Sequence, residues 1–322
     1  MLNLKRAEIP TRKAFGIRMC EYGAIDSEFA VFEADIGSST SSILFGKKYP
    51  KRYFDMGIAE LGMVAAAAGM ASCGRSVFAS SYSIFLSTRA LEAVRTFVCY
   101  PNLNVKFLGS HGGLTAAIDG VTHQATEDIA NIGTLPNMKL VVPCDTCSTR
   151  KLFDLAITTP GPFYVRLLRD AYYELYPENT EFLLGGSHVI RNGSDITIGT
   201  YGDMVFQALA AADNLAESGI SAEVIDFYSI KPLDYTTLNA SLRKTGKLFV
   251  LENHQRRNGL GYDIADYLVT HQYHIPYQHA GLNDVFAESG KYADILRKYR
   301  LDSFAVADEI KKMLLSDGCQ RR

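Results

Sequence analysis

The stretch RYFDMGIAELGM, residues 52–63, changes character halfway along. Its first half reads as the end of a strand. Gly57 supplies a turn, and the run MVAAAAGMA, residues 63–71, is rich in small helix formers. Glu60 therefore falls in the first turn of a helix, where the helix dipole favours a carboxylate. The same strand–turn–helix unit recurs outward from this point. Phe29–Phe32, Ser76–Ala79, Asn104–Leu108, Lys139–Val142 and Phe163–Val165 read as buried strands. Amphipathic stretches near 12–24, 59–72, 83–98 and 146–157 read as helices between them. Strands that are continuously apolar and separated by helices predict a parallel sheet covered on both faces. After a less patterned stretch at 170–186 a second set begins. It comprises strands at Asp195–Thr200, Ala222–Phe227 and Leu248–Leu251, with helices near 203–217 and 260–270. The expected fold class is α/β, with two domains at 1–180 and 187–322. Each has a mostly parallel sheet flanked by helices.

The chain has 322 residues, which at about 150 per domain suits two domains. Hydrophobic residues make up 47%, enough for a sizeable core. Lys and Arg number 33 against 35 Asp and Glu. Overall charge thus gives no case for nucleic acid or an anionic membrane. The longest nearly apolar run, Leu61 to Ala71, is too short to span a bilayer. The first residues lack a signal-peptide core. The six cysteines are scattered, which fits a reducing, cytoplasmic compartment better than a disulfide framework. Cys144 and Cys147 form a single CxxC without the second pair a zinc site wants, so they read as two thiols at a helix start.

Three further segments carry chemistry. Tyr82 and Phe85, three apart at a strand-to-helix junction, could wall a flat heteroaromatic ring or simply belong to the core. His111 to Gln124 packs two histidines, an aspartate and three glycines into fourteen residues directly after a strand. In an open parallel sheet, loops beyond the strand carboxyl ends carry the ligand site. Histidines there can donate to oxygens or shuttle protons near neutral pH. Arginine suits a phosphate through its planar fork.

Taken together, these segments resemble the transketolase family. The resemblance rests on Arg12-Lys13, Ala34-Asp35…Ser39, Gly57-Ile-Ala-Glu60, Tyr82…Phe85, His111, Asp119-Gly-x-x-His123-Gln124 and Pro143-Cys-Asp145. Later come Asp226 to Asp234 (DFYSIKPLD), Glu252-Asn-His254 and Gly281…Gly290. It covers nearly the whole chain, which resembles the C-terminal two-thirds of a transketolase encoded as a separate subunit. The resemblance implies thiamine diphosphate chemistry, with transfer of a two-carbon ketol unit from a ketose phosphate to an aldose phosphate. Glu60 would hydrogen-bond the pyrimidine N1′ and start the proton relay that activates the cofactor. Tyr82 and Phe85 would line the aminopyrimidine pocket. His111 and His123 would assist proton transfers, and with Asp119 would bind sugar hydroxyls. Asp35 lies in the matching substrate segment, and Arg12, Ser39 and Arg166 match positions that hold a substrate phosphate. Arg169 lies close to the last of these.

The family's Gly-Asp-Gly signature for diphosphate and Mg²⁺ has no counterpart in the chain. The resemblance therefore implies that no metal ligands lie here. They are expected on a partner N-terminal subunit carrying the diphosphate-binding domain, in an α2β2 heterotetramer. Other readings of the same architecture are a deoxyxylulose-phosphate-synthase-like carboligase, the β subunit of a 2-oxoacid dehydrogenase, or a non-catalytic paralogue. The paired His111 and Asp119-Gly-x-x-His123 favour a sugar donor over a simple oxoacid.

Overall fold

The computed structural model describes residues 4–320. The described residues hold twelve strands, β1 (Ala30–Glu33), β2 (Tyr53–Asp55), β3 (Val77–Tyr82), β4 (Val105–Ser110), β5 (Lys139–Val141), β6 (Phe163–Arg166), β7 (His188–Arg191), β8 (Ile196–Thr200), β9 (Ala222–Asp226), β10 (Ser229–Lys231), β11 (Leu248–Gln255) and β12 (Tyr277–Leu282). They form two sheets, in the orders β10-β5-β6-β4-β3-β1-β2 and β12-β11-β8-β9-β7. Pairing is parallel except at two edges, β10 on β5 and β7 on β9. The α/β expectation holds, and the predicted strands and most helices lie within a few residues of the observed ones.

Two features depart from the linear reading. First, β10 follows β9 of the second sheet but pairs with β5 at the edge of the first. The second domain thus lends a strand to the first, and no cut near residue 180 separates two closed sheets. Second, the helix expected over 83–98 is broken into Ser83–Ser87, Leu91–Ala93 and a wide-turned segment Val94–Cys99. At the break, both the backbone N–H and the hydroxyl of Thr88 donate to the Ile84 carbonyl. Such local side-chain bonding competes with helix continuation. The break turns Arg89 outward beside the start of the helix Glu60–Ser72.

Besides the β10–β5 edge, polar groups join the two domains around Asn253. Asn253, from β11, accepts the Leu114 N–H at 2.8 Å and gives its carbonyl to Arg166 at 3.1 Å. Thr126 accepts the backbone N–H of Gln255, and Gln124 donates to the Glu288 carbonyl. The second domain therefore braces the loop that follows β4. Asp145 caps the helix Thr146–Thr158 through the Ser148 N–H at 2.7 Å. Cys144 and Cys147, buried at that helix start, are unpaired, as are Cys20, Cys73 and Cys99. Among the described residues no helix is long and apolar enough to cross a membrane.

Candidate active site

Because β1, β2, β3, β4 and β6 run parallel, their carboxyl ends open on one edge of the sheet. The loops at 34–39, 56–60, 83–89, 111–124 and 167–170 all leave from that edge. This is where a sheet of this kind accommodates ligands.

Glu60 opens its helix and is buried, with only 4% of its surface exposed. Its Oε1 accepts from Arg89 Nη1 at 3.1 Å. The Arg89 guanidinium lies 4.0 Å above the Phe85 ring. Phe85 and Tyr82 stack with centroids 5.6 Å apart and planes 20° from parallel. His111 packs on Tyr82 at 4.2 Å, and His123 meets both aromatic rings edge-on at 5.6 and 5.4 Å. The sequence left Tyr82 and Phe85 open between core and pocket wall. Their places between a buried carboxylate and two histidines favour the wall.

Around these rings gathers an anion-ready group. Arg12 donates to the carbonyls of Arg169 and Ser39. Arg169 donates to the Ala116 carbonyl and to Asp119 at 3.1 Å, and its side chain keeps 24% of its surface exposed. Burial, then the charges of Arg12, Arg169 and His123, push the His111 imidazole down to about 3. That shift favours the neutral ring near pH 7. Asp35, His111 and Ala117 all hold positive φ, at 60°, 61° and 38°. Backbone strain of this kind gathers at functional sites. Asp35 is exposed on the same edge, but its backbone N–H goes to Asp55, and no contact joins its side chain to the Arg12 group among the described residues.

Arg166 is a correction. It was expected to hold a substrate phosphate, yet its side chain is completely buried. Its Nε pairs with Asp128 at 2.9 Å, and its Nη2 donates to the Ala125 and Asn253 carbonyls. A Cβ on Gly112 would sit 2.5 Å from its Nε, so the arginine fills the space beneath the histidine turn. Three residues on, the chain has left the strand, and Arg169 is the one that reaches the edge.

The segment carrying Ser39 rests on a buried carboxylate that sequence reasoning missed. Glu33, at the end of β1, is fully buried and accepts from the hydroxyls of Ser42 and Thr40. Burial pushes it up to about 7 from an ordinary 4.5, against the lowering by those bonds. Between these values the native state holds a proton that the unfolded chain has released. Stability from this group therefore falls as pH rises from about 4.5 to 7. Glu33→Gln is expected to flatten that slope and to stabilise by roughly 3 kcal/mol above pH 7. Denaturation midpoints of both proteins at pH 5 and pH 8 check this; parallel slopes would refute it.

The family model for the transketolase pyrimidine binding domain matches residues 7–174, and that for the transketolase C-terminal domain matches 185–306. A Methanocaldococcus jannaschii protein, provisionally named a transketolase C-terminal section, is 38% identical over 304 residues, or 93% of this chain and 94% of its own. The 6-deoxy-6-sulfo-D-fructose transketolase subunit SqwH of a Clostridium species is 36% identical over 88% of each chain. A solved structure described as a split gene transketolase in an inactive β4 tetramer superposes with a TM-score of 0.88 at 39% identity. It covers 95% of this chain and 99% of that one. The chain belongs to the transketolase family and matches, over nearly its whole length, the split-type subunits that join a pyrimidine-binding domain to a C-terminal domain.

Proposed function

We propose that this chain is the subunit of a thiamine diphosphate-dependent transketolase that activates the cofactor's aminopyrimidine and binds the sugar. It would transfer a two-carbon ketol unit from a ketose phosphate to an aldose phosphate. The observation that supports this best is the convergence of Glu60, the Tyr82–Phe85 stack and the His111–Asp119–Arg169 group on one sheet edge.

The residues fit the pyrimidine half of the cofactor. A buried carboxylate suits a ring nitrogen, and the Phe85 face already carries a planar cationic group in Arg89. When bound, thiamine diphosphate supplies the nucleophilic carbon and the electron sink. Glu60 would hold the proton at the pyrimidine nitrogen. Tyr82 and Phe85 would orient the ring and keep water from it. Asp119 and His123 would take sugar hydroxyls. Arg12, Arg169 and the Ser39 segment would hold the anionic end of the substrate. SqwH is named for a sulfonated fructose, which supports an anionic sugar while leaving the acid group open.

Diphosphate and Mg²⁺ would be held by a partner N-terminal subunit in an α2β2 assembly. That the similar β4 tetramer is described as inactive supports the need for the partner. Unpaired cysteines support a cytoplasmic setting.

The test is reconstitution with the partner, thiamine diphosphate and Mg²⁺, followed by addition of xylulose 5-phosphate and an aldose phosphate. Ketol transfer is the expected result. Carbon dioxide release from pyruvate without ketol transfer would overturn the reading in favour of an oxoacid enzyme. Inactivity of the assembled complex on both substrates would point to a non-catalytic paralogue.

A further inference from the structure

We propose that Ser110 is a positioning residue that fixes His111 in the Nε2–H tautomer, so that this ring meets the substrate as a hydrogen-bond donor. The step rests on the reading that His111 faces the sugar.

Ser110 ends β4 and is fully buried. Its Oγ lies 2.8 Å from His111 Nδ1, and no other hydrogen-bond partner of that hydroxyl exists among the described residues. Two neutral tautomers are possible, and they differ in what happens to one proton. If Nδ1 carried hydrogen, Ser110 would accept, and its own hydroxyl proton would be buried without an acceptor. A buried orphan of this kind is costly. If Ser110 donates, Nδ1 accepts, both groups are satisfied, and the imidazole proton sits on Nε2.

The imidazolium is disfavoured by the surroundings. The ring is buried against Tyr82, and Arg12 and Arg169 place positive charge nearby. Nε2 itself has no hydrogen-bond partner among the described residues. The ring therefore offers one fixed N–H to a lone pair: a carbonyl, hydroxyl or phosphoryl oxygen of the ligand. It has no free acceptor with which to remove a proton. His123 differs, because the hydroxyl beside its Nδ1 belongs to exposed Thr122, which can exchange partners with water.

Histidine-selective ¹⁵N labelling of the full chain, read by long-range ¹H–¹⁵N correlation at pH 7, decides the matter. The His111 signals are assigned by their loss in H111N. Expected is a protonated Nε2 and an unprotonated, hydrogen-bonded Nδ1. Ser110→Ala should lose this single tautomer and give a mixture, and Ser110→Thr should keep it. A protonated Nδ1 in the unaltered chain would overturn the proposal. So would a tautomer unchanged in S110A, or one lost equally in S110T and S110A, since packing rather than the hydroxyl would then set the ring. The readout needs neither cofactor nor turnover. A failed ketol-transfer assay leaves it standing, and a wrong tautomer leaves the ketol-transfer reading standing.

Discussion

Glu60→Gln is expected to lower kcat of the reconstituted enzyme by about 10²–10⁴-fold, the usual worth of a positioned acid–base group. Glutamine keeps the size of the side chain and can still accept a hydrogen bond from Arg89, but it has no proton to exchange with a ring nitrogen. The fold should tolerate the change. The change removes the buried charge and leaves only the half-exposed Arg89 cation, which water can solvate. The denaturation midpoint of E60Q should thus stay near that of the unaltered chain while turnover collapses. Affinity for thiamine diphosphate should fall far less than kcat, because the aromatic wall of Tyr82 and Phe85 is untouched. A kcat within tenfold of the original would remove Glu60 from the activating role. Glu60, Tyr82 and Phe85 would then form a pocket without that chemistry.

Glu60 was legible because everything that places it is local. A strand end, a turn glycine and an alanine-rich helix lie within twenty residues, and each has its own signature. Tyr82, Phe85 and the His111–His123 loop are legible for the same reason: each begins where a readable strand stops. Arg166 and Arg169 show where local reading ends. Arg166 ends β6 and Arg169 follows three residues on; both are arginines, and only Arg169 keeps exposed surface. What separates them is Asp128, far along the chain, and Asn253 from the other domain, and no pattern around residue 166 announces either. The strand that β10 lends to the first sheet was hidden likewise, since its partner β5 lies some ninety residues away. Arg89 was obscured by a break in a helix whose sequence reads as continuous. At the break the Thr88 hydroxyl joins its own backbone N–H on the Ile84 carbonyl.

The two arginines also give the second large prediction, and it is one of opposite behaviour. Arg166→Met should lower the free energy of unfolding by about 3–5 kcal/mol, because it strands Asp128 in the core with, among the described residues, only Tyr164 donating to it. The damage is a desolvated charge without its partner, so removing that charge as well should undo most of it. The double variant R166M/D128N is therefore expected to be considerably more stable than R166M alone. Arg169→Met should do the reverse. Its bonds to Ala116 and Asp119 are partly in water, so the midpoint should barely move. The KM for a phosphorylated donor should instead rise roughly 10–100-fold, the loss of a charge-assisted hydrogen bond to an anion. Guanidinium denaturation and steady-state kinetics on the three variants read the two effects separately. If R166M folded stably and bound substrate poorly while R169M did neither, Arg166 would be the anion ligand after all. The buried pair with Asp128 would then open when substrate arrives.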